Sequence, residues 1–127
     1  DGQAVVTGDP GLLQRALSNL LSNAVRHARP GTQIVVRIAV AAEGRCSLAV
    51  ENQGDVLTEP ELGRIFERFY RADSARQEGG THHGLGLAIV DAIARMHGGQ
   101  TFAHSVDGVT TIGLWLPSAA PGLWSGT

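Results

Sequence analysis

Thr32-Gln33-Ile34-Val35-Val36-Arg37-Ile38-Ala39-Val40-Ala41-Ala42-Glu43-Gly44-Arg45-Cys46-Ser47-Leu48-Ala49-Val50-Glu51-Asn52 decides the fold class. Thr32 to Ala41 is rich in β-branched residues, Glu43-Gly44 offers a turn, and Cys46 to Asn52 resumes an alternating pattern, so the stretch reads as a β-hairpin. A second hairpin is written near the C-terminus. Gln100 to Ser105 and Val109 to Leu116 flank Asp107-Gly108, a pair suited to a tight turn, and Pro117 ends the last strand.

Helical periods fill the space between the strands. Asp9-Pro10 reads as an N-cap followed by proline at the first helical position, and Arg29-Pro30-Gly31 as a stop, giving a helix from about Pro10 to Ala28. Ala4 to Thr7 is a candidate short strand before it. Gly54 breaks the second strand, and Thr58 with Glu61 forms a capping-box pattern for a short helix ending near Phe66. From Ala72 to His83 no period survives, as expected of a long functional loop. A further helix starts near Gly84 or Leu85, carries Leu87, Val90 and Ala94 on one face, and closes at His97-Gly98-Gly99. Hairpins interleaved with helices predict a two-layer α+β sandwich rather than a parallel doubly wound sheet. Residues 1–117 form one domain in this reading, and Ser118 to Thr127 a flexible tail.

Composition narrows the function. The chain has 127 residues, 43% of them hydrophobic, which suits one globular domain with a real core, and it has no apolar run long enough to span a membrane. A net charge of −2 argues against a nucleic-acid footprint. All ten basic residues are arginines, so any cationic recognition of phosphate is by guanidinium, and lysine chemistry is excluded. The single Cys46 cannot form an internal disulfide and fits a reducing compartment as a buried thiol.

Within the first helix, Asn19, Asn23 and Arg26 share one face because a helix turns about 100° per residue. Leu13, Ala16, Leu17, Leu20, Leu21 and Ala24 form its apolar face. Neutral amide oxygens can join the oxygen shell of a magnesium ion that arrives with a nucleotide, and Arg26 could meet phosphate. A solvated helix face gives the same stripe. Gly84-x-Gly86 at a helix start offers backbone N–H groups and a positive dipole end to a phosphate. His82-His83, with Glu78 as the one further candidate ligand nearby, is a weaker suggestion of a metal site than of a solvated loop.

In combination and order, these segments resemble the catalytic and ATP-binding domain of sensor histidine kinases, within the superfamily of gyrase, the heat-shock chaperone ATPases and MutL. The likeness spans about Val5 to Pro117. Asn19 to His27 is similar to the N box, Arg64-Ile65-Phe66-Glu67-Arg68-Phe69-Tyr70-Arg71 to the F box, and Gly84-Leu85-Gly86-Leu87-Ala88-Ile89-Val90 to the second glycine box. The resemblance implies a Bergerat-type ATP-binding fold, a mixed, largely antiparallel sheet packed against helices. It implies ATP and Mg2+ as ligands. Asn23, assisted by Asn19, would hold magnesium; Arg26 and Arg71 would contact phosphate; His27 would pack near the ribose or adenine; and Thr111 would face the adenine. Phe66 and Phe69 would anchor the lid, and Gly84, Leu85, Gly86 and Leu87 would line the phosphate side. Each residue also has a plainer reading: a boundary histidine, a surface arginine, core phenylalanines, and a threonine suited to a pleated strand.

The first glycine box, Asp-x-Gly-x-Gly in the family, is matched here by Asn52, Gly54 and Val56. An asparagine oxygen can still accept from an adenine amino group, but a charge-assisted bond is about twice as strong as a neutral one. Asn52 at this position resembles the metal-responsive subclass. His82 stands where the second glycine box often begins. Superfamily ATPases carry a glutamate base at the position of Asn19, and an amide cannot take a proton from water, so transfer is implied over hydrolysis. The acceptor implied is a histidine on the protein's own dimerisation and histidine-phosphotransfer domain, and none of the five histidines here lies in such a motif. A cognate response regulator would receive the phosphoryl group. The resemblance further implies a cytoplasmic domain of an inner-membrane sensor, touching the membrane only through the rest of the protein. The alternative is a degenerate nucleotide-binding or scaffold module.

Overall fold

The structure, a computed structural model, describes residues 6–41, 44–68, 70 and 85–118. The elements are α1 (Pro10–His27), β1 (Ile34–Ala41), β2 (Arg45–Gln53), α2 (Glu59–Leu62), α3 (Gly86–Met96), β3 (Gln100–Val106) and β4 (Val109–Pro117). The strands form one sheet in the order β1-β2-β4-β3, and every pairing among the described strands is antiparallel. Both expected hairpins are present. The central β2–β4 pair joins residues distant in sequence, with Val50 opposite Ile112 and Asn52 opposite Thr110.

Local chemistry fixes the boundaries. The Asp9 carboxylate accepts from the Leu12 backbone N–H at 3.1 Å, Pro10 occupies the first helical position, and Arg26 and His27 place positive groups in the last turn of α1. The β3–β4 turn has φ 56° at Asp107 and 79° at Gly108, the left-handed pair that a two-residue hairpin of matching twist requires. Thr58 and Glu61 form the expected capping box, but α2 ends at Leu62 with Gly63 as its cap, four residues before Phe66. From there the chain runs through tight turns that carry Ile65 into the core.

Side chains alternate across each strand, so Val50, Ile112, Leu114 and Leu116 face one way. They meet Ala16, Leu20 and Ala24 of α1 and Val90, Ile93 and Ala94 of α3. Each large side chain buried there, such as Leu20 or Leu114, contributes about 1.5–3 kcal/mol through removal from water. The helices cover this face over β2, β4 and β3, whereas Val36, Ile38 and Val40 on β1 stay exposed. On the opposite face Arg37 pairs with Glu51 at 2.7 Å and Arg45 lies over the Trp115 ring at 4.1 Å.

Of the expected first strand, Val6 forms an isolated antiparallel bridge to Ser118, whose N–H also donates to the Gly44 carbonyl at 2.7 Å. Ala4, Val5, the long loop over Ala72 to His83, and 119–127 lie outside the described residues. No described helix is long and apolar enough to cross a membrane.

Candidate nucleotide site

The site lies where the C-terminal half of α1, the N-terminus of α3 and the C-terminal end of β2 converge. Asn19 is the link between the helices: its side-chain Nδ2 donates to the Gly86 carbonyl at 3.2 Å. That bond commits the amide nitrogen and leaves its oxygen for another partner. One turn further along, Asn23 Oδ1 accepts from Arg26 Nη2 at 3.5 Å, too long to be a strong hydrogen bond. The asparagines and Arg26 are half-buried on one face of α1, as the spacing requires.

At the start of α3, Leu85 makes no side-chain capping bond, no acidic residue lies in the first turn, and a Cβ added at Gly86 would meet open space. Among the described residues the first-turn N–H groups therefore have no side-chain acceptor, and they carry the positive end of the helix dipole, which is the chemistry of an anion site. Leu87 and Ile89 turn the other way and pack on the core.

The end of β2 is held against the end of α1. The Arg29 N–H donates to the Gln53 carbonyl at 2.7 Å, the Gly54 N–H donates to the Gly108 carbonyl at 2.9 Å, and the Arg29 guanidinium reaches the Gly54 carbonyl at 3.4 Å. A Cβ at Gly54 would sit 2.5 Å from the His27 carbonyl oxygen, so only glycine allows this approach. His27 and Asn52 are thereby brought to one corner. Asn52 is 4% exposed and points to the helix-covered side of the sheet.

The strand register corrects one expectation. Thr111 pairs with Glu51 and His104, which places it on the face away from the helices and away from Asn52. Thr110 is the threonine beside Asn52, and its hydroxyl lies 3.0 Å from Ser105 Oγ, which accepts from the Leu57 N–H at 3.1 Å. Sequence reading missed Thr110 because two consecutive threonines differ only in the face they take. Phe66 is half-buried against the core, while Phe69, Arg71, Gly84, Glu78, His82 and His83 lie outside the described residues.

Among the described residues no group of three His, Cys, Asp or Glu side chains could hold a metal ion. A hard cation here would take neutral oxygens from Asn19 and Asn23 and complete its shell with phosphate oxygens and water, which fits magnesium delivered by a nucleotide. Hydrogen bonds raise two guanidinium pKa values further, Arg37 through Glu51 and Arg64 through Glu67, and both groups are outside this corner. The Arg64 guanidinium also lies 4.6 Å from the centre of the Tyr70 ring.

Residues 8–120 match the family of histidine kinase-, DNA gyrase B- and HSP90-like ATPases. The chain belongs to that family. It is 46% identical to the sensor protein CzcS of Cupriavidus metallidurans over 91% of its own length and 24% of that protein. It matches the mycobacterial sensor histidine kinase MprB with a TM-score of 0.81 and 35% identity, covering 89% of this chain and 76% of that one. Full-length ShkA, solved in complex with AMPPNP, matches with a TM-score of 0.78 and 25% identity, covering 93% of this chain and 24% of that one. The chain thus spans about a quarter of the length of CzcS. As a member of the ATPase family with sensor-kinase relatives, it is an ATP-binding catalytic domain of histidine-kinase type.

Proposed function

We infer that this domain binds Mg-ATP and presents its γ-phosphoryl group to a histidine on the dimerisation and histidine-phosphotransfer domain of the same sensor protein. The observation that carries the inference is the Asn19 to Gly86 bond, which sets the asparagine face of α1 against the uncapped start of α3. The phosphates rest at the α3 N-terminus, with Arg26 and Arg71 offsetting charge on the transferring group. Asn19 and Asn23 would hold magnesium, which would supply charge neutralisation of the phosphate oxygens.

The incoming imidazole nitrogen forms a bond to the γ-phosphorus, the bond to the bridging oxygen breaks, and ADP leaves with that electron pair. Phosphoryl transfer of this loose kind needs positioning and electrostatics more than a protein base. An amide at Asn19 fits that need, since it cannot take a proton from water. The base sits near Asn52 and His27, with Gly54 giving clearance, while Phe66 and Phe69 anchor the loop that follows. The phosphohistidine then passes its group to a cognate response regulator. In this assignment the domain works on the cytoplasmic side of an inner-membrane sensor, and the folded unit extends through Ser118, which bridges Val6.

Calorimetry of Mg-ATP binding by the chain and by Asn23→Ala tests this. Saturable, magnesium-dependent binding that is lost in the variant is the expected result. A folded parent chain that binds no nucleotide would remove the assignment.

A further inference from the structure

Asn52 is 96% buried, yet its side-chain amide makes no hydrogen bond among the described residues. Neither atom of that amide is fully buried without a partner, so the group keeps access to this corner and to a ligand there. Its oxygen and nitrogen can exchange places by rotation about the last side-chain torsion, and no bond among the described residues holds either orientation. An aspartate at the same place could only accept; this amide can accept or donate.

Its neighbour has the same property. Thr110 lies directly opposite on the same face, and its hydroxyl shares one hydrogen bond with Ser105 Oγ at 3.0 Å in which either oxygen can be the donor. Ser105 Oγ already accepts from the Leu57 N–H, and that bond persists in both senses. When Ser105 donates, the Thr110 hydrogen is free to point into the site; when Thr110 donates, its lone pairs are free instead. Two adjacent groups, both reversible, therefore meet whatever edge is presented to this corner.

We propose that Asn52, with Thr110 beside it, reads the six-position of a bound purine in either hydrogen-bond sense, so that the domain takes 6-oxopurine nucleoside triphosphates as well as ATP. Against adenine, Asn52 Oδ1 accepts from the exocyclic amine. Against hypoxanthine or guanine, Nδ2 donates to the exocyclic oxygen while the Thr110 oxygen accepts from the ring N–H, directly or through a water. The proposal rests on the nucleotide-site assignment above.

The test is direct binding by calorimetry of magnesium complexes of ATP and inosine triphosphate, which differ at the six-position without the extra amine of guanine. The intact chain is compared with Asn52→Asp. The parent is expected to bind the two within about 10-fold of each other, because one neutral hydrogen bond replaces another. Asn52→Asp is expected to widen the ratio to about 100-fold or more in favour of ATP, since an acceptor-only carboxylate would face a carbonyl oxygen. A parent chain that binds ATP but takes inosine triphosphate more than about 100-fold more weakly overturns the proposal and leaves the ATP site standing, and needs no variant to fold. An unchanged ratio in a folded Asn52→Asp also overturns it. No binding of either nucleotide removes the site and the proposal together.

Discussion

The His97 ring ties the two long helices together: its Nε2 accepts from the Asp9 backbone N–H at 3.1 Å, 88 positions earlier in the chain. Its Nδ1 faces the Ile93 carbonyl at 2.7 Å, so the ring is the neutral tautomer with the proton on Nδ1. One side chain thus joins the C-cap of α3 to the N-cap of α1, the helix that carries both asparagines. Replacing it by alanine removes two hydrogen bonds, one of them at an exposed backbone group, and His97→Ala should cost about 1–2 kcal/mol in chemical denaturation. An unchanged midpoint would show that the latch contributes nothing.

Gly8 reports on the same latch. A Cβ there would lie 2.5 Å from His97 Cδ2 and 2.7 Å from Nε2, so Gly8→Ala must displace the ring. The expected loss is about 1–3 kcal/mol, as for overpacking elsewhere. Because the clash needs the ring, Gly8→Ala placed on His97→Ala should cost far less than on the parent, and a double-mutant cycle reads that coupling. Additive losses would mean that the glycine is required for its backbone alone.

Asn19→Ala separates the α1–α3 link from the fold. The apolar contacts of α1 do not involve this side chain, so the domain should stay folded with a change of about 1 kcal/mol or less. The N-terminal turn of α3 loses its tether to α1. Amide exchange over Leu87 to Val90 should quicken, and Mg-ATP affinity should fall by about 10-fold or more, since a cation ligand and the phosphate-side geometry go together. Unaltered exchange over that turn would show that the 3.2 Å bond does not hold the helix.

Gly54→Ala acts at the other edge of the site. The added methyl would meet the His27 carbonyl oxygen at 2.5 Å, an atom of the backbone that cannot swing aside. Either the end of β2 or the end of α1 must shift, which should weaken nucleotide binding and lower stability by about 1–3 kcal/mol. A variant with parental melting and parental ATP affinity would show that this junction is looser than the contact implies.

Sequence alone carried the elements whose signals are local. The Asp9-Pro10 cap, the Thr58 and Glu61 box and the Asp107-Gly108 turn each act within four residues, and all appear where their chemistry puts them. Contacts between distant segments were not legible in the same way. Neither the His97 to Asp9 bond nor the Asn19 to Gly86 bond has a periodic signature, because each depends on how two helices are placed by a shared core. Even the short helix after Thr58 is shorter than its sequence suggests, since Gly63 ends it while the apolar residues beyond continue to suggest a helical face.

The threonine pair shows the same limit within a single strand, where a one-residue change of register exchanges the faces. The pairing of Asn52 with Thr110 puts that hydroxyl at the nucleotide corner, whereas Thr111 stands beside Glu51 and His104 on the far side of the sheet. Thr110→Val keeps shape and β propensity but removes the hydroxyl that partners Ser105, and should weaken Mg-ATP binding by about 5–10-fold, the worth of about one hydrogen bond. Thr111→Val should leave affinity within about 2-fold, because its side chain is separated from the site by the sheet itself. Calorimetry on the two variants side by side decides the assignment: a loss confined to Thr111→Val would place the base on the uncovered face and undo the geometry derived for Asn52.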